Sequence, residues 1–244
     1  MAMYIHQHYQ LDESDAPIST YKQKLSALCK INLRRANKFN LLAVYGAVSC
    51  MQNQSFSNNI GIYLATERGP VESLRNVLEQ VTKEGGIVMP FDFLGINTNA
   101  SFYIAQALGA SGKHMVLTSH HLSFEKALQL AYFDLMHKEV DDVLVGCVDT
   151  SLSFLEEKYR PKNTPHNHDK SAWLYANREP KNAIARIESI EEFSSLEAMH
   201  KNYPNENIQS DETLLQCLTF ENQKRFYVKH DEKGKCVVIK MGKL

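Results

Sequence analysis

The sequence of 244 residues predicts an α/β layered fold within a single domain, residues 1–244. Short apolar segments rich in β-branched and aromatic residues, such as 60–65 (IGIYLA) and 142–148 (DVLVGCV), have the character of buried strands. Between them lie longer segments whose apolar residues recur at three- and four-residue steps, as in helices. This alternation of strands and helices favours a layered α/β domain.

Each element follows from local pattern. Apolar periodicity predicts helices, and short apolar runs predict strands. The predicted helices are 18–50, one from Gly69-Pro70 to Gly85, 98–108 and 122–137. The predicted strands are 60–65, 115–118, 142–148, 172–176 and 183–187, followed by a β-hairpin of 225–230 and 236–239. The polar segment 156–169 predicts a surface loop.

The helix 122–137 is apolar on nearly every face. A surface helix keeps a wide polar side, so this one is expected to be buried between two layers. An amphipathic helix with a broad apolar stripe is the alternative.

Bulk composition excludes several classes of function. The net charge is −1, which gives no global field that would favour nucleic acid or an anionic membrane. No apolar run reaches the roughly 18 residues of a membrane span, and the N-terminus lacks the pattern of a signal peptide. The five cysteines have long, irregular spacings, which favour reduced thiols. We therefore expect a cytoplasmic protein with no membrane span, nucleic-acid partner, metal or other cofactor.

The run 112–151 (GKHMVLTSHHLSFEKALQLAYFDLMHKEVDDVLVGCVDTS) resembles the nucleophile region of β-ketoacyl synthases. In that family a strand ends in a Thr-Ala-Cys turn, the cysteine opens a buried helix, and a strand ending in Gly-Gly-x-Glu follows. Ser119, His120 and His121 fall on the turn, and Ser123 matches the small residue two past the cysteine. The resemblance covers roughly 30–190 and implies the N-terminal half of a thiolase-like fold, with 191–244 as a short divergent tail that carries the hairpin.

Two departures from the family pattern bear on activity. His121 stands at the nucleophile position, and an imidazole cannot hold a growing acyl chain as a persistent thioester. The two catalytic histidines of the family lie in its C-terminal half, and nothing after position 190 matches them. The resemblance therefore implies a non-catalytic protein of the chain-length-factor type, not an enzyme.

Chain length factors pair with an active β-ketoacyl synthase, as heterodimers or heterotetramers, and shape the shared acyl tunnel. An acyl carrier protein is the second expected partner, in polyketide, aryl polyene or fatty-acid-like biosynthesis. The resemblance places the partner interface and tunnel at Phe91, Phe93, Leu94, Phe102, Met115, Val116, Leu117 and Thr118. A basic helix face could dock the carrier protein or simply be solvated, and it comprises Lys30, Arg34, Arg35 and Lys38.

Two other classes of function stay open. One is a decarboxylase or hydrolase of acyl-carrier thioesters that uses His121 or a nearby serine, although no Gly-x-Ser-x-Gly elbow is present. The other is a free-standing module that binds acyl carrier protein or lipid. Three histidine pairs are poor metal sites, because they are adjacent or lie in expected loops without a carboxylate or thiol partner: 120 and 121, 6 and 8, and 166 and 168.

Overall fold

The computed structural model describes residues 2–83, 86, 88–95, 99–160, 167–204, 214 and 224–244. The strands are β1 (Met3–Ser14), β2 (Ile60–Ala65), β3 (His114–Leu117), β4 (Asp142–Asp149), β5 (His168–Asn177), β6 (Ala185–Phe193), β7 (Lys224–His230) and β8 (Cys236–Lys243). The helices are α1 (Ile18–Ser26), α2 (Lys38–Met51), α3 (Val71–Lys83), α4 (Pro90–Gly95), α5 (Ala100–Leu108), α6 (Ser123–Met136) and α7 (Leu196–Asn202), with a 3-10 turn at Glu157–Tyr159.

The strands form one eight-stranded mixed sheet in the order β3-β2-β4-β5-β1-β6-β8-β7. Strand β2 is parallel to both of its neighbours, β3 and β4, whereas the other pairs are antiparallel. Because β2, β3 and β4 run in the same direction, their carboxyl ends lie at the same end of the sheet. The predicted mixed α/β architecture and the C-terminal hairpin are thus confirmed.

Each face of the sheet has its own apolar core. Helices α1, α2 and α5 pack on one face, around Trp173 and Tyr175. Helix α6 packs on the other face, against β2 and β4. Seven residues of α6 are buried, but Phe133 on its outer side is 54% exposed.

The fully buried indole of Trp173 fixes the distance between α2 and the sheet. A Cβ atom at Gly146 of β4 would lie 2.2 Å from Trp173 Cδ2, and one at Gly46 of α2 would lie 2.6 Å from Trp173 Cδ1. Both positions must therefore be glycine for the ring to fit between helix and strand.

Two expectations near the N-terminus are wrong. The segment 18–50 is two helices rather than one, because α1 ends at Ser26 and the Asn37 side chain starts α2 by accepting from the backbone N–H of Asn40 at 2.8 Å. His6 and His8 lie in strand β1, not in a loop. A register shift between Ile5 and Gln7 interrupts the alternation of buried and exposed side chains along β1. The sequence therefore does not show the two-residue period by which a strand is recognised.

His168 also differs from expectation, because it begins β5 and lies 2.6 Å from the Asp12 carboxylate. His166 falls outside the described residues. Segment 89–94, for which no element was assigned, forms most of the short helix α4.

Gly146→Ala should destabilise the protein by about 1–3 kcal/mol or more, because the added methyl group overlaps the buried indole. Urea unfolding measures this difference. Gly95→Ala is the matched control, because its nearest contact would be Ser73 Oγ at 3.3 Å, more than 1 Å farther than the contact at Gly146. Equal stability of Gly146→Ala and wild type would contradict the packing described for Trp173.

Candidate functional site

The carboxyl ends of the three parallel strands bring chemically active side chains together. Glu67 and Arg68 follow β2, His120 and His121 follow β3, and Asp149 ends β4. All five line one cavity of about 560 Å³. The remaining walls of this cavity are Gln10, Leu11, Asp12, Phe124, Glu125, Cys147, Lys170, Ala172, Leu214, Tyr227 and Lys229. We call this space the strand-end cavity.

The turn between β3 and α6 is tight and internally hydrogen-bonded. His120 has a left-handed backbone, with φ of 47°. The Ser119 N–H donates to Ser123 Oγ at 2.8 Å, and the Ser123 hydroxyl donates to the His120 carbonyl at 2.7 Å. Ser123 is buried, so its hydroxyl closes the turn instead of facing the cavity as a nucleophile.

His121, the residue at the predicted nucleophile position, lies between two acidic side chains. Its Nδ1 is 3.6 Å from Glu67 Oε1, and its Nε2 is 3.7 Å from Glu232 Oε1 in the β7–β8 turn. The side chain is 46% exposed. This position suits a surface ion pair when the ring is protonated.

The Asp149 carboxylate joins the ends of β2 and β4. It accepts from the Thr66 hydroxyl at 2.9 Å and from the backbone N–H groups of Glu67 at 3.2 Å and Arg68 at 3.1 Å. Arg68 Nε lies 3.7 Å away. Burial raises the pKa of Asp149, and Arg68 with these donors opposes that rise.

Glu125, in the first turn of α6, is 1% exposed and contacts the C-terminal hairpin. The Tyr227 hydroxyl donates to Glu125 Oε1 at 2.7 Å, and Lys229 Nζ lies 4.0 Å from the same oxygen. Burial raises the pKa of Glu125, opposed by Lys229 and Tyr227. Burial also holds the pKa of the Cys147 thiol well above its usual range, which disfavours a thiolate nucleophile there.

The residues of the predicted interface strand lie at the edge of the sheet. In β3, Met115 is 42% exposed, and Val116 and Leu117 are partly buried. Thr118, which follows the strand, is exposed. The Lys113 carbonyl accepts from the backbone N–H of Ile62 in β2, and the Leu117 carbonyl accepts from that of Thr66, which follows β2. Alternation along a parallel ladder then directs the N–H and C=O of Val116 toward the open edge.

Large apolar side chains are exposed on β3 and on the three helices that precede it in the chain, α3, α4 and α5. Helix α3 packs against α4, and α5 packs against β3. We call the exposed large apolar residues of α3, α4, α5, β3 and the segment before α4 the β3-side apolar set. They are Leu74, Leu78, Val81, Met89, Phe93, Phe102 and Met115. The side chains of Phe91 and Leu94 lie outside the described part of the chain.

The basic cluster is not a helix face. Lys30, Arg34 and Arg35 are exposed, but they lie between α1 and α2. Lys38 is buried and pairs with Asp15 and with Asp169, the latter at 2.8 Å. The expectation that Lys38 is part of an exposed docking surface is therefore wrong, because both carboxylates hold its ammonium inside the fold.

Sequence reasoning did not single out Glu67, Glu125, Asp149, Tyr227 or Lys229. These side chains belong to five separate positions along the chain and meet through the sheet order. One signal was available for Glu125, because an acidic residue inside a nearly all-apolar helix needs a buried partner.

Glu125→Gln should increase the free energy of unfolding relative to wild type, and this increase should grow as the pH rises. The pKa of Glu125 is raised in the folded state, so the folded state binds its proton more tightly than the unfolded state does. The stability that this provides is fully present below the ordinary pKa of 4.5 and is lost as the pH rises through the folded-state pKa. The amide of the variant does not ionise, so the variant does not lose stability in this way. Urea unfolding at pH 4 and pH 8 measures the difference, and a gap that shrinks at pH 8 would contradict the burial of Glu125.

Comparisons with known proteins give structural matches alone, because no family model and no curated protein matches the sequence. The chain is similar to the ishigamide ketosynthase/chain length factor, with TM-score 0.75, 10% identity and coverage of 100% of both chains. It is similar to the ketosynthase ApeO in complex with its chain length factor ApeC from Xenorhabdus doucetiae, with TM-score 0.66, 14% identity and coverage of 100% of both chains.

A third match is AntDE:AntF, a type II polyketide synthase acyl carrier protein in complex with its ketosynthase. Its TM-score is 0.70 at 10% identity, covering 100% of this chain and 99% of the other. None of the helices among the described residues is long and apolar enough to cross a membrane. The chain thus has the thiolase-like fold of ketosynthases and chain length factors.

Proposed function

We propose that this protein is a non-catalytic, chain-length-factor-like subunit that pairs with an active ketosynthase through β3. The observation that carries the proposal is the outer edge of β3, with which no strand among the described residues pairs. An edge strand with unpaired N–H and C=O groups is a template for another strand, and proteins ordinarily protect such edges. Here the exposed Met115 side chain stands on that edge.

The β3-side apolar set supports the same interface. Exposed apolar surface of this kind is typical of protein–protein contacts. Phe93 and Phe102 are more than half exposed, and in a pair with a ketosynthase they would reach the partner's acyl tunnel. A bulky side chain there limits the chain length that the tunnel accepts, because overfilling a packed cavity costs about 1–3 kcal/mol.

The solved structures support the choice of partners. The matched assemblies include a ketosynthase with its chain length factor and a ketosynthase with an acyl carrier protein. We propose the same partners for this chain, in cytoplasmic polyketide or aryl polyene biosynthesis, as a heterodimer or heterotetramer. Lys30, Arg34 and Arg35 remain candidates for docking the acidic carrier protein.

The chemistry of the β3–α6 turn supports a non-catalytic role. Condensation requires a thiolate that holds the acyl chain, and His121 occupies that position. Ser123 is engaged in the turn, and the Cys147 thiol is held protonated by burial. These groups therefore offer no ready nucleophile for a thioester.

A second candidate function is hydrolysis or decarboxylation of acyl-carrier thioesters. The contact of His121 with Glu67 favours it, because a carboxylate beside an imidazole orients and strengthens a general base. Turnover of an acyl-carrier thioester that disappears in His121→Ala would establish this function, and absence of turnover in wild type would exclude it.

The mass in solution tests the pairing. The protein is purified alone and after co-expression with the ketosynthase encoded nearest to it, and light scattering gives both masses. A stable 1:1 or 2:2 complex supports the proposed role. A well-behaved monomer that does not bind the ketosynthase excludes it and favours the free-standing binding module.

Val116→Pro should abolish the complex while leaving the chain folded. Proline removes the N–H that points to the open edge and spares the hydrogen bonds to β2. Val116→Thr is the matched control, because it keeps that donor and the β-branched shape. Undiminished co-purification of Val116→Pro with the ketosynthase would contradict strand pairing at this edge.

A further inference from the structure

We infer that a second cavity, between the first turns of α2 and α3, is a binding site for a small anion that carries a phosphate group. This cavity has a volume of about 230 Å³, and its walls include Lys38 and Phe39 of α2 and Glu72 and Ser73 of α3. We call it the α2–α3 cavity. The inference concerns this subunit itself and does not depend on its pairing with a ketosynthase.

The N-terminal ends of the two helices lie side by side. The Asn37 side chain, which caps α2, donates from Nδ2 to Ser73 Oγ in the first turn of α3 at 3.1 Å. Backbone N–H groups in a first turn have no acceptor within their own helix. Those of Lys38, Phe39, Glu72 and Ser73 have no backbone acceptor elsewhere among the described residues. Two adjacent helix ends attract an anion, because each carries the equivalent of roughly half a positive charge.

Thr150 gives an independent indication of a ligand. Val148, two residues earlier, packs in the core on the α2 face of the sheet, so alternation directs Thr150 toward the same face. Thr150 is only 5% exposed and lines the α2–α3 cavity, yet its hydroxyl makes no hydrogen bond with any residue that the structure describes. Buried hydroxyl groups ordinarily have a partner. An anion in the cavity would accept the hydrogen bond of this hydroxyl.

The lining also carries cations that are available to a ligand. Lys22 and Arg34 are exposed, and neither forms an ion pair within the described part of the chain. Glu72 and Asp92 balance these two charges, so the attraction for an anion comes from the two helix ends. Lys38 contributes its backbone N–H alone, because its ammonium is paired with two carboxylates.

The size and the directions of the donors favour phosphate over a carboxylate. Pockets for drug-sized ligands have roughly 300–1,000 Å³, and this cavity is smaller. Donors line it on two helices, on Arg34 and on Thr150. A tetrahedral phosphate has acceptor oxygens in several directions, and a guanidinium binds two of them at once. A planar carboxylate has only two oxygens and leaves some of these donors unpaired.

The test is a backbone-amide NMR titration of the full chain with inorganic phosphate, against sodium chloride at equal ionic strength. We expect saturable shifts of the amides of Lys38, Phe39, Glu72 and Ser73 with phosphate alone. Shifts no larger than those with sodium chloride overturn the inference. Acetate should bind at least tenfold more weakly, and equal or tighter binding of acetate overturns the choice of phosphate. Methyl phosphate distinguishes the two sources: tighter binding than inorganic phosphate indicates a phosphate ester, and weaker binding indicates the free ion.

Three variants and a control locate the bound anion. Arg34→Gln should weaken phosphate binding about tenfold, as for the loss of a charge-assisted hydrogen bond. Thr150→Val keeps the shape of the side chain and should weaken binding about two- to tenfold. Glu72→Gln should tighten binding, because it removes a like charge from the lining. Arg35→Gln is the matched control, because Arg35 is the exposed neighbour of Arg34 and does not line the cavity.

The amide spectrum of each variant shows whether it is folded before it is titrated. Unchanged binding in folded Arg34→Gln and Thr150→Val overturns the assignment to this cavity. Equal losses in Arg34→Gln and Arg35→Gln also overturn it, because the anion would then be held by general surface charge. Since no ketosynthase is present, a negative result leaves the subunit pairing intact, and failure of the pairing leaves this result intact.

Discussion

The Asp149 carboxylate is the constraint on which the arrangement of the site depends. It is buried at the end of β4, yet it accepts hydrogen bonds from the turn that follows β2. An unpaired carboxylate there would be costly, so these donors must stay in place. They fix Glu67 and Arg68 over the cavity, and Glu67 in turn lies beside His121. The ends of the parallel strands are thus held in one geometry.

The two sides of the sheet differ in how completely they are covered. The face that carries Trp173 is closed by α1, α2 and α5, and its packing tolerates no side chain at Gly46 or Gly146. On the other face, α6 leaves Phe133 exposed, and the outer edge of β3 has no partner strand in the part of the chain that the structure describes. The chain therefore combines a closely packed core with exposed apolar side chains, which the proposed pairing would cover.

Much of this architecture could be predicted from local pattern. Strands such as 60–65 and the C-terminal hairpin carry clear signals, and the resemblance of the run 112–151 to β-ketoacyl synthases predicts the thiolase-like fold. Strand β1 was not predicted because of its bulge. Met3 and Ile5, before the bulge, pack in one core and Leu11, after it, packs in the other, so the strand shows no continuous alternation. The strand-end cavity could not be predicted because its walls come from separate strands. The burial of Lys38 could not be predicted because it depends on Asp169, which is 131 residues further along the chain.

Hydrogen–deuterium exchange at β3 tests the central claim most directly. The backbone amides of His114 and Val116 are measured in the chain alone and in the chain co-purified with its ketosynthase. If β3 pairs with a partner strand, these two amides gain strong protection in the complex, while that of Met115, which faces β2, changes little. A complex in which His114 and Val116 exchange as fast as in the chain alone would contradict the account.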